Sequence, residues 1–276
     1  MERVRRGFRL ARASFEVLKA DRGLLLLPLL SFVAIAIVAA VYAGGVWAVT
    51  GFGRGMSPAW IIPLYFIASF IAIFSNAAVV ATANLQLQGG TPTLGDGIHI
   101  AATRLNKLLG WSLITTTVGL IVRALEQRGG IFGRLIWSLV GMAWSVVTFL
   151  VVPVLLFEDL SVTDSVKRSG HLFRDKWGEQ VIGNGTIGLA VLLVGLVAAV
   201  PVALLYALSP IVGIAVGVVC YGALAAVSAA LSGIFNAALY RYATTGSAGG
   251  AFSIDDLQGS FRTRPGRGNR GVAGTW

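Results

Sequence analysis

The feature that most constrains this chain is the length of its uncharged apolar runs. The first of them, Leu24–Val49, holds no ionisable side chain except that of Tyr42. As a helix rising about 1.5 Å per residue, this run is longer than the roughly 30 Å hydrocarbon core of a bilayer. Only 12% of all residues are charged, whereas soluble domains carry roughly 25%. Lipid, rather than water, is therefore expected to surround most of the chain.

Six apolar runs predict an all-α, polytopic membrane bundle of six transmembrane helices. They are Leu24–Val49, Ala59–Thr82, Leu109–Val122, Leu135–Phe157, Val181–Tyr206 and Pro210–Tyr240. The linkers after the first, third and fifth runs are short, so the helices should pair as three antiparallel hairpins. Prolines inside three of the runs predict kinks; they are Pro63, Pro153 and Pro201. Residues 1–245 are thus expected to form a single six-span membrane domain.

The distribution of Lys and Arg predicts the orientation of these helices. With the N-terminus inside, all but four of the 22 basic residues fall on inner segments. The four outer ones are Arg54, Arg123, Arg128 and Arg134. Because basic residues resist translocation, the side of the membrane with more Lys and Arg is the cytoplasmic side. We expect a multi-pass protein of the prokaryotic plasma membrane with both termini in the cytoplasm. The net charge of +10 is then explained by the basic residues of the cytoplasmic segments. Nucleic acid is therefore not expected as a partner.

A Ser/Thr-x-x-Asp pattern recurs after each even-numbered run, at Thr93–Asp96, Ser161–Asp164 and Ser253–Asp256. In such a pattern the hydroxyl accepts from the backbone N–H three residues on. The acid bonds back and favours the positive end of the helix dipole. Each pattern therefore predicts the start of a helix on the cytoplasmic side.

Interfacial amphipathic helices are expected over about 5–22, 93–109 and 161–178, one before each hairpin. The apolar face of the second helix consists of Leu94, Ile98, Ala101, Leu105 and Leu108. That of the third consists of Val162, Val166, Ser169, Phe173 and Trp177. Such helices lie in the interface with basic residues toward anionic headgroups. The predicted lipid contacts are Arg5, Arg9, Arg12, Lys107, Lys167 and Arg168.

The tail over residues 246–276 is rich in Gly and Arg, most densely within Arg262–Arg270. Such a composition buries no core, so the tail is expected to be mostly disordered and cytoplasmic. It is either a solvated, positively charged segment or a contact with anionic lipid.

Catalytic and cofactor motifs are absent from the sequence. Gly183–Gly188 matches GxGxxG, but it begins a transmembrane run. A dinucleotide site would require an acid about 20 residues further on, whereas the next acid in this chain is Asp255. The densest acidic cluster consists of Glu158, Asp159, Asp164 and His171. Because it straddles a helix end and a capping turn, it is expected to cap the helix and to pair with Lys167, Arg168 and Arg174. The sequence predicts neither an enzyme nor a bound metal ion or cofactor.

Four amides lie toward the cytoplasmic ends of the spans, namely Asn76, Asn84, Asn184 and Asn236. They either hydrogen-bond one another between helices or line a polar cavity. Small-residue faces such as Gly213–Gly217 predict close helix contacts, within one chain or between two copies.

Several of these segments resemble an uncharacterised prokaryotic membrane family, domain of unknown function 6159. The resemblance rests on Ser14–Leu30, Gly90–Gly97, Lys167–Gly170 with Trp177–Glu179, and Phe235–Tyr242. It implies a six-span fold and no established activity.

The leading functional hypothesis is a non-enzymatic bundle that organises lipids or partner proteins at the cytoplasmic membrane face. Its partners would be membrane lipids with anionic headgroups, another membrane protein, or a second copy of the chain. The alternative is a transporter or lipid translocator with a cavity between the hairpins.

Overall fold

The computed structural model describes residues 13–19, 23–51, 58–128, 130–177, 186–247, 249 and 252. Among these residues the chain is all-helical, with no strand. The helices are α1 (13–19), α2 (Gly23–Thr50), α3 (Pro58–Leu87), α4 (Leu94–Thr103), α5 (Leu105–Arg128), α6 (Gly130–Val147), α7 (Val151–Phe157), α8 (Val162–Trp177), α9 (Thr186–Leu208) and α10 (Pro210–Thr245).

Within the described residues, five helical stretches are long and apolar enough to cross a membrane. They are Gly23–Thr50, Trp60–Leu87, Leu105–Arg128, Gly133–Phe157 and Pro210–Thr245. The third of them has 24 residues, because the helix continues beyond its short apolar run at both ends. Within α9, Val194–Leu208 forms a shorter apolar helix. These helices are consistent with a multi-pass membrane protein.

Burial divides the bundle into two ends. At one end a single hydrophobic cluster joins α1, the first turns of α2 and α5, all of α7, and the C-terminal parts of α3 and α10. Its fully buried side chains include Leu24, Val79, Leu108, Leu155 and Ile234. We call this the packed end. At the opposite end, called the open end, apolar side chains are exposed, as at Leu208, Ile211 and Val49. Buried side chains are therefore concentrated at the packed end.

Glycines of α10 allow it to approach three other helices closely. A Cβ at Gly217 would lie 3.1 Å from a valine of α9, and one at Gly222 would overlap a phenylalanine ring of α2. At Gly233 it would lie 2.7 Å from Val79 of α3. Small residues permit such approach. These glycines, and the predicted face Gly213–Gly217 with them, serve helix contacts within the chain.

The helix predicted over 93–109 is divided in the structure. It ends at Thr103, Arg104 has non-helical dihedral angles (φ −110°, ψ 18°), and α5 begins at the next residue. The face that α4 buries also differs from the predicted apolar stripe. Gly97 and Ala101 are buried, whereas Ile98 is exposed. The reason is that α4 packs directly on α3, where only small side chains fit.

The helix predicted over 161–178 agrees closely with α8, which covers Val162–Trp177. The first interfacial helix is described only over 13–19. Arg5, Arg9 and Arg12, together with Asn184 and the Ser253–Asp256 pattern, lie outside the described residues.

Candidate functional site at the packed end

A complete capping box begins α4. The backbone N–H of Asp96 donates to Thr93 Oγ1 at 3.3 Å, and the backbone N–H of Thr93 donates to Asp96 Oδ2 at 2.8 Å. The backbone and hydroxyl of Thr93 hold the pKa of Asp96 below its ordinary value, because both donate to the charged carboxylate. The cap predicted from the sequence is confirmed here.

A second cap begins α8. The backbone N–H of Asp164 donates to Ser161 Oγ at 3.1 Å, and the Ser161 hydroxyl donates to Asp164 Oδ2 at 2.7 Å. Lys167 Nζ adds a contact of 3.1 Å to the same carboxylate. The hydroxyl of Ser161, followed by Lys167, lowers the pKa of Asp164. Two of the three recurring patterns therefore start helices at the packed end.

Close backbone contact fixes α4 on α3. A Cβ added at Gly97 would lie 2.6 Å from the carbonyl oxygen of Ala78 and would overlap the hydroxyl of Thr82. No side chain fits between these two backbones without a shift. Helix α4 is thus an integral part of the bundle and not an independent surface helix.

Helix α8 is joined to the fourth span at the break between α6 and α7. Pro153 lacks an N–H, and its ring disfavours a helical carbonyl at Phe149, four residues earlier. The Ser169 hydroxyl donates to the Val147 carbonyl at 2.6 Å and accepts from the Leu150 N–H at 3.1 Å. A side chain of α8 therefore supplies backbone hydrogen bonds that the broken helix lacks.

The two attachments differ in their contacts. A shift of 68 positions, which carries Asp96 onto Asp164, carries Gly97 onto Ser165 and not onto Ser169. Both capped helices nevertheless pack against the span that precedes them in the chain.

Asp159 joins two basic side chains across the connection between α7 and α8. Arg104 Nη1 lies 2.9 Å and Lys107 Nζ 2.7 Å from the same oxygen, Asp159 Oδ1. Lys107, and then Arg104, lower the pKa of Asp159 because both stabilise the charged carboxylate. These partners lie more than 50 positions from Asp159 along the chain. Sequence spacing therefore gave no signal for this group.

Glu158, the neighbouring residue, connects three helices. Arg168 Nε in α8 contacts both of its carboxylate oxygens, at 3.0 and 3.3 Å. The Tyr240 hydroxyl of α10 donates to it at 3.3 Å, and the Tyr240 ring lies 5.5 Å from that of Phe157. The predicted pairing of this acidic cluster with Lys167 and Arg168 is confirmed. Among the described residues, no three His, Cys, Asp or Glu side chains are grouped to hold a metal ion.

The three predicted amides within the described residues lie at the packed end. Asn84 and Asn236 are buried, and Asn76 Nδ2 lies 3.6 Å from the Cβ position of Gly233. Asn236 is three residues after Gly233 and therefore lies on the same side of α10. The Oδ1 atom of Asn236 has no hydrogen-bond partner among the described residues. A cavity lined by these amides stays a prediction.

A comparison with known families matches residues 57–251 to a family of unknown function, DUF6159. The match runs from the start of α3 to beyond α10, and so contains every contact of the site described above. The opening segment Ser14–Leu30 lies before it. No curated protein and no solved structure matches the chain significantly. Because the match covers more than half of the residues, the chain belongs to the DUF6159 family.

Proposed function

We propose that this chain is a six-span protein of the prokaryotic plasma membrane that organises anionic lipids or partner proteins at the cytoplasmic face, without catalysing a reaction. In this proposal both termini and the packed end lie on the cytoplasmic side. The observation that carries it is the packed end itself. There, two capped helices are fixed to the spans, and the basic side chains of Lys167 and Arg174 in α8 are exposed.

Helix lengths support the placement of the packed end at the membrane boundary. A span needs about 20 residues to cross the hydrocarbon core. Counting about that far from the open end of α3, α5 and α10 leads to Ala78, Leu108 and Ala230. All three are fully buried and belong to, or adjoin, the packed cluster. The surplus turns of these helices therefore form a cap at the boundary, covered by α1, α4 and α8.

The course of α9 supports a sixth span. It connects α8, which lies at the packed end, to Pro210 at the open end, and its 23 residues extend about 34 Å. It runs antiparallel to α10, since Tyr206 lies against Gly213 and the Tyr221 hydroxyl bonds the Gly195 carbonyl at 3.2 Å. Three antiparallel hairpins follow from this arrangement.

The positions of basic residues support the orientation. Arg104, Lys107, Lys167 and Arg168 lie at the packed end, whereas Arg123, Arg128 and Arg134 lie toward the open end. An excess of Lys and Arg on one side is typical of the cytoplasmic face.

The proposal is tested by lipid retention of the full-length protein in nanodiscs of mixed phosphatidylglycerol and phosphatidylcholine. A triple Arg5→Gln/Arg9→Gln/Arg12→Gln variant should lower the retained ratio of anionic to neutral lipid about fivefold or more. The matched control, Arg54→Gln/Arg128→Gln/Arg134→Gln, removes the same charge from the opposite side and should leave the ratio unchanged. A wild-type protein without preference for phosphatidylglycerol would contradict the proposal.

A translocator is the second candidate, favoured by buried polar atoms near the α3–α10 contact. Ser75 Oγ, Thr116 Oγ1 and Asn236 Oδ1 lack hydrogen-bond partners among the described residues. Buried polar groups without partners often bind water, and a water path would be needed for polar cargo. The path is tested with single cysteines at the four predicted amides in a Cys220→Ala background. Protection from a water-soluble maleimide at Asn76, Asn84, Asn184 and Asn236 alike would exclude this function.

A further inference from the structure

We propose that Arg104 and Lys107 bind the phosphate of an anionic phospholipid at the inner membrane boundary, and that Asp159 orients the two cations and competes with the lipid. The inference deepens the proposed function and rests on it. It names a specific lipid site within the packed end.

The three side chains leave positive charge and hydrogen-bond donors in excess. Both cations contact one oxygen of a single carboxylate, Asp159 Oδ1, so one positive charge is uncompensated within the group. The contact from Arg104 Nη1 uses one of the five N–H donors of a guanidinium. The remaining donors suit a phosphate group, which arginine and lysine bind through charge-assisted hydrogen bonds.

The position of the group suits a lipid headgroup. Arg104 lies at the turn between α4 and α5, and Lys107 directly precedes Leu108, where the hydrocarbon boundary falls. One turn further into α5, the buried Trp111 ring stacks on that of Trp144 with centroids 6.2 Å apart. Because Leu108 lies at the boundary in the proposed topology, the two cations lie at the depth of the lipid phosphates.

Partial burial distinguishes this pair from Lys167, which also lies at the packed end. The side chains of Arg104 and Lys107 are 29% and 25% exposed, and that of Asp159 is 84% exposed. Lys167, by contrast, is 73% exposed. Charges that are partly removed from water interact more strongly with an approaching anion and are screened less by salt. The exposed carboxylate is the partner that an incoming phosphate can displace.

The test measures lipids retained by the full-length protein, by native mass spectrometry after incubation with equimolar phosphatidylglycerol and phosphatidylcholine. The Arg104→Gln/Lys107→Gln variant should lose about tenfold in preference for phosphatidylglycerol. The control Arg128→Gln/Arg134→Gln should match wild type. Excess inorganic phosphate should not displace the retained lipid, because free phosphate lacks the acyl chains.

Asp159→Asn separates a lipid site from a purely structural ion pair. Removing the competing carboxylate should raise retention of phosphatidylglycerol above wild type, even though one contact between helices is lost. Unchanged or lowered retention in Asp159→Asn would overturn the proposal, as would wild-type retention in the double variant. Complete displacement by inorganic phosphate would also overturn it. If the wild-type protein shows no preference for phosphatidylglycerol, the proposed function itself is wrong. If the wild type shows that preference but the variants do not give the expected results, only the proposed lipid site is wrong.

Discussion

The hydroxyl of Ser169 donates a hydrogen bond of 2.6 Å to the backbone carbonyl of Val147. These residues belong to α8 and α6, so an element outside the fourth span completes the backbone hydrogen bonding within it. Unpaired backbone groups are costly where water is excluded. The break caused by Pro153 is therefore stable only while α8 is in place, and α8 and the fourth span form one structural unit.

Replacing Ser169 by Ala should destabilise the protein by about 1–3 kcal/mol, because the Val147 carbonyl and the Leu150 N–H both lose their partner. Thermal unfolding in detergent measures the effect. Ser145→Ala is the matched control, since the Ser145 hydroxyl bonds only the Gly141 carbonyl of its own helix in an exposed position. Equal melting temperatures for the two variants would show that α8 does not support the break.

Gly97→Ala should also destabilise the protein, by about 1–3 kcal/mol, because the new methyl group meets the Ala78 carbonyl and the Thr82 hydroxyl. Gly95→Ala in the same helix is the control. A Cβ there is 3.5 Å from Thr93 Oγ1, and alanine should favour the helix by up to about 1 kcal/mol. The two substitutions are therefore expected to change the free energy of unfolding in opposite directions. A stabilising Gly97→Ala would mean that α4 does not pack on α3 as described.

Acid should weaken the caps of α4 and α8. The folded pKa values of Asp96 and Asp164 are below their ordinary values, so both carboxylates add stability above the unfolded pKa of about 3.9. That stability is lost as the pH falls through the folded values. Melting temperature measured from pH 6 down to pH 3 should fall less steeply in Asp96→Asn/Asp164→Asn than in wild type. Parallel curves would contradict the role of these caps.

Local features of the packed end were predictable from the sequence, whereas long-range ones were not. The caps at Thr93 and Ser161 depend on contacts three residues apart, so spacing alone identified them. The pairing of Asp159 with Arg104 depends on the packing of α7 against α5, which no local pattern encodes. The buried face of α4 was not predicted for a similar reason, since it is decided by the contact of Gly97 with α3.

The prolines illustrate the same limit. Pro63 and Pro201 lie inside α3 and α9, which continue past them, and the kinks expected there stay predictions. Among the described residues of these three spans, the one containing Pro153 is divided. The difference lies in the surroundings, because Ser169 offers hydrogen bonds at that break. A proline in the sequence therefore marks where a helix is weakened, and the tertiary contact decides whether it breaks.

The central claim, that the packed end faces the cytoplasm, is tested most directly with two matched glutamines at opposite ends of the bundle. In a Cys220→Ala background, Gln88→Cys lies after α3 at the packed end and Gln127→Cys lies near the end of α5 at the open end. Both native residues are exposed. In intact cells a membrane-impermeant maleimide should label Gln127→Cys and leave Gln88→Cys unlabelled, with the pattern reversed in inverted vesicles. Labelling of Gln88→Cys from outside intact cells would contradict the account.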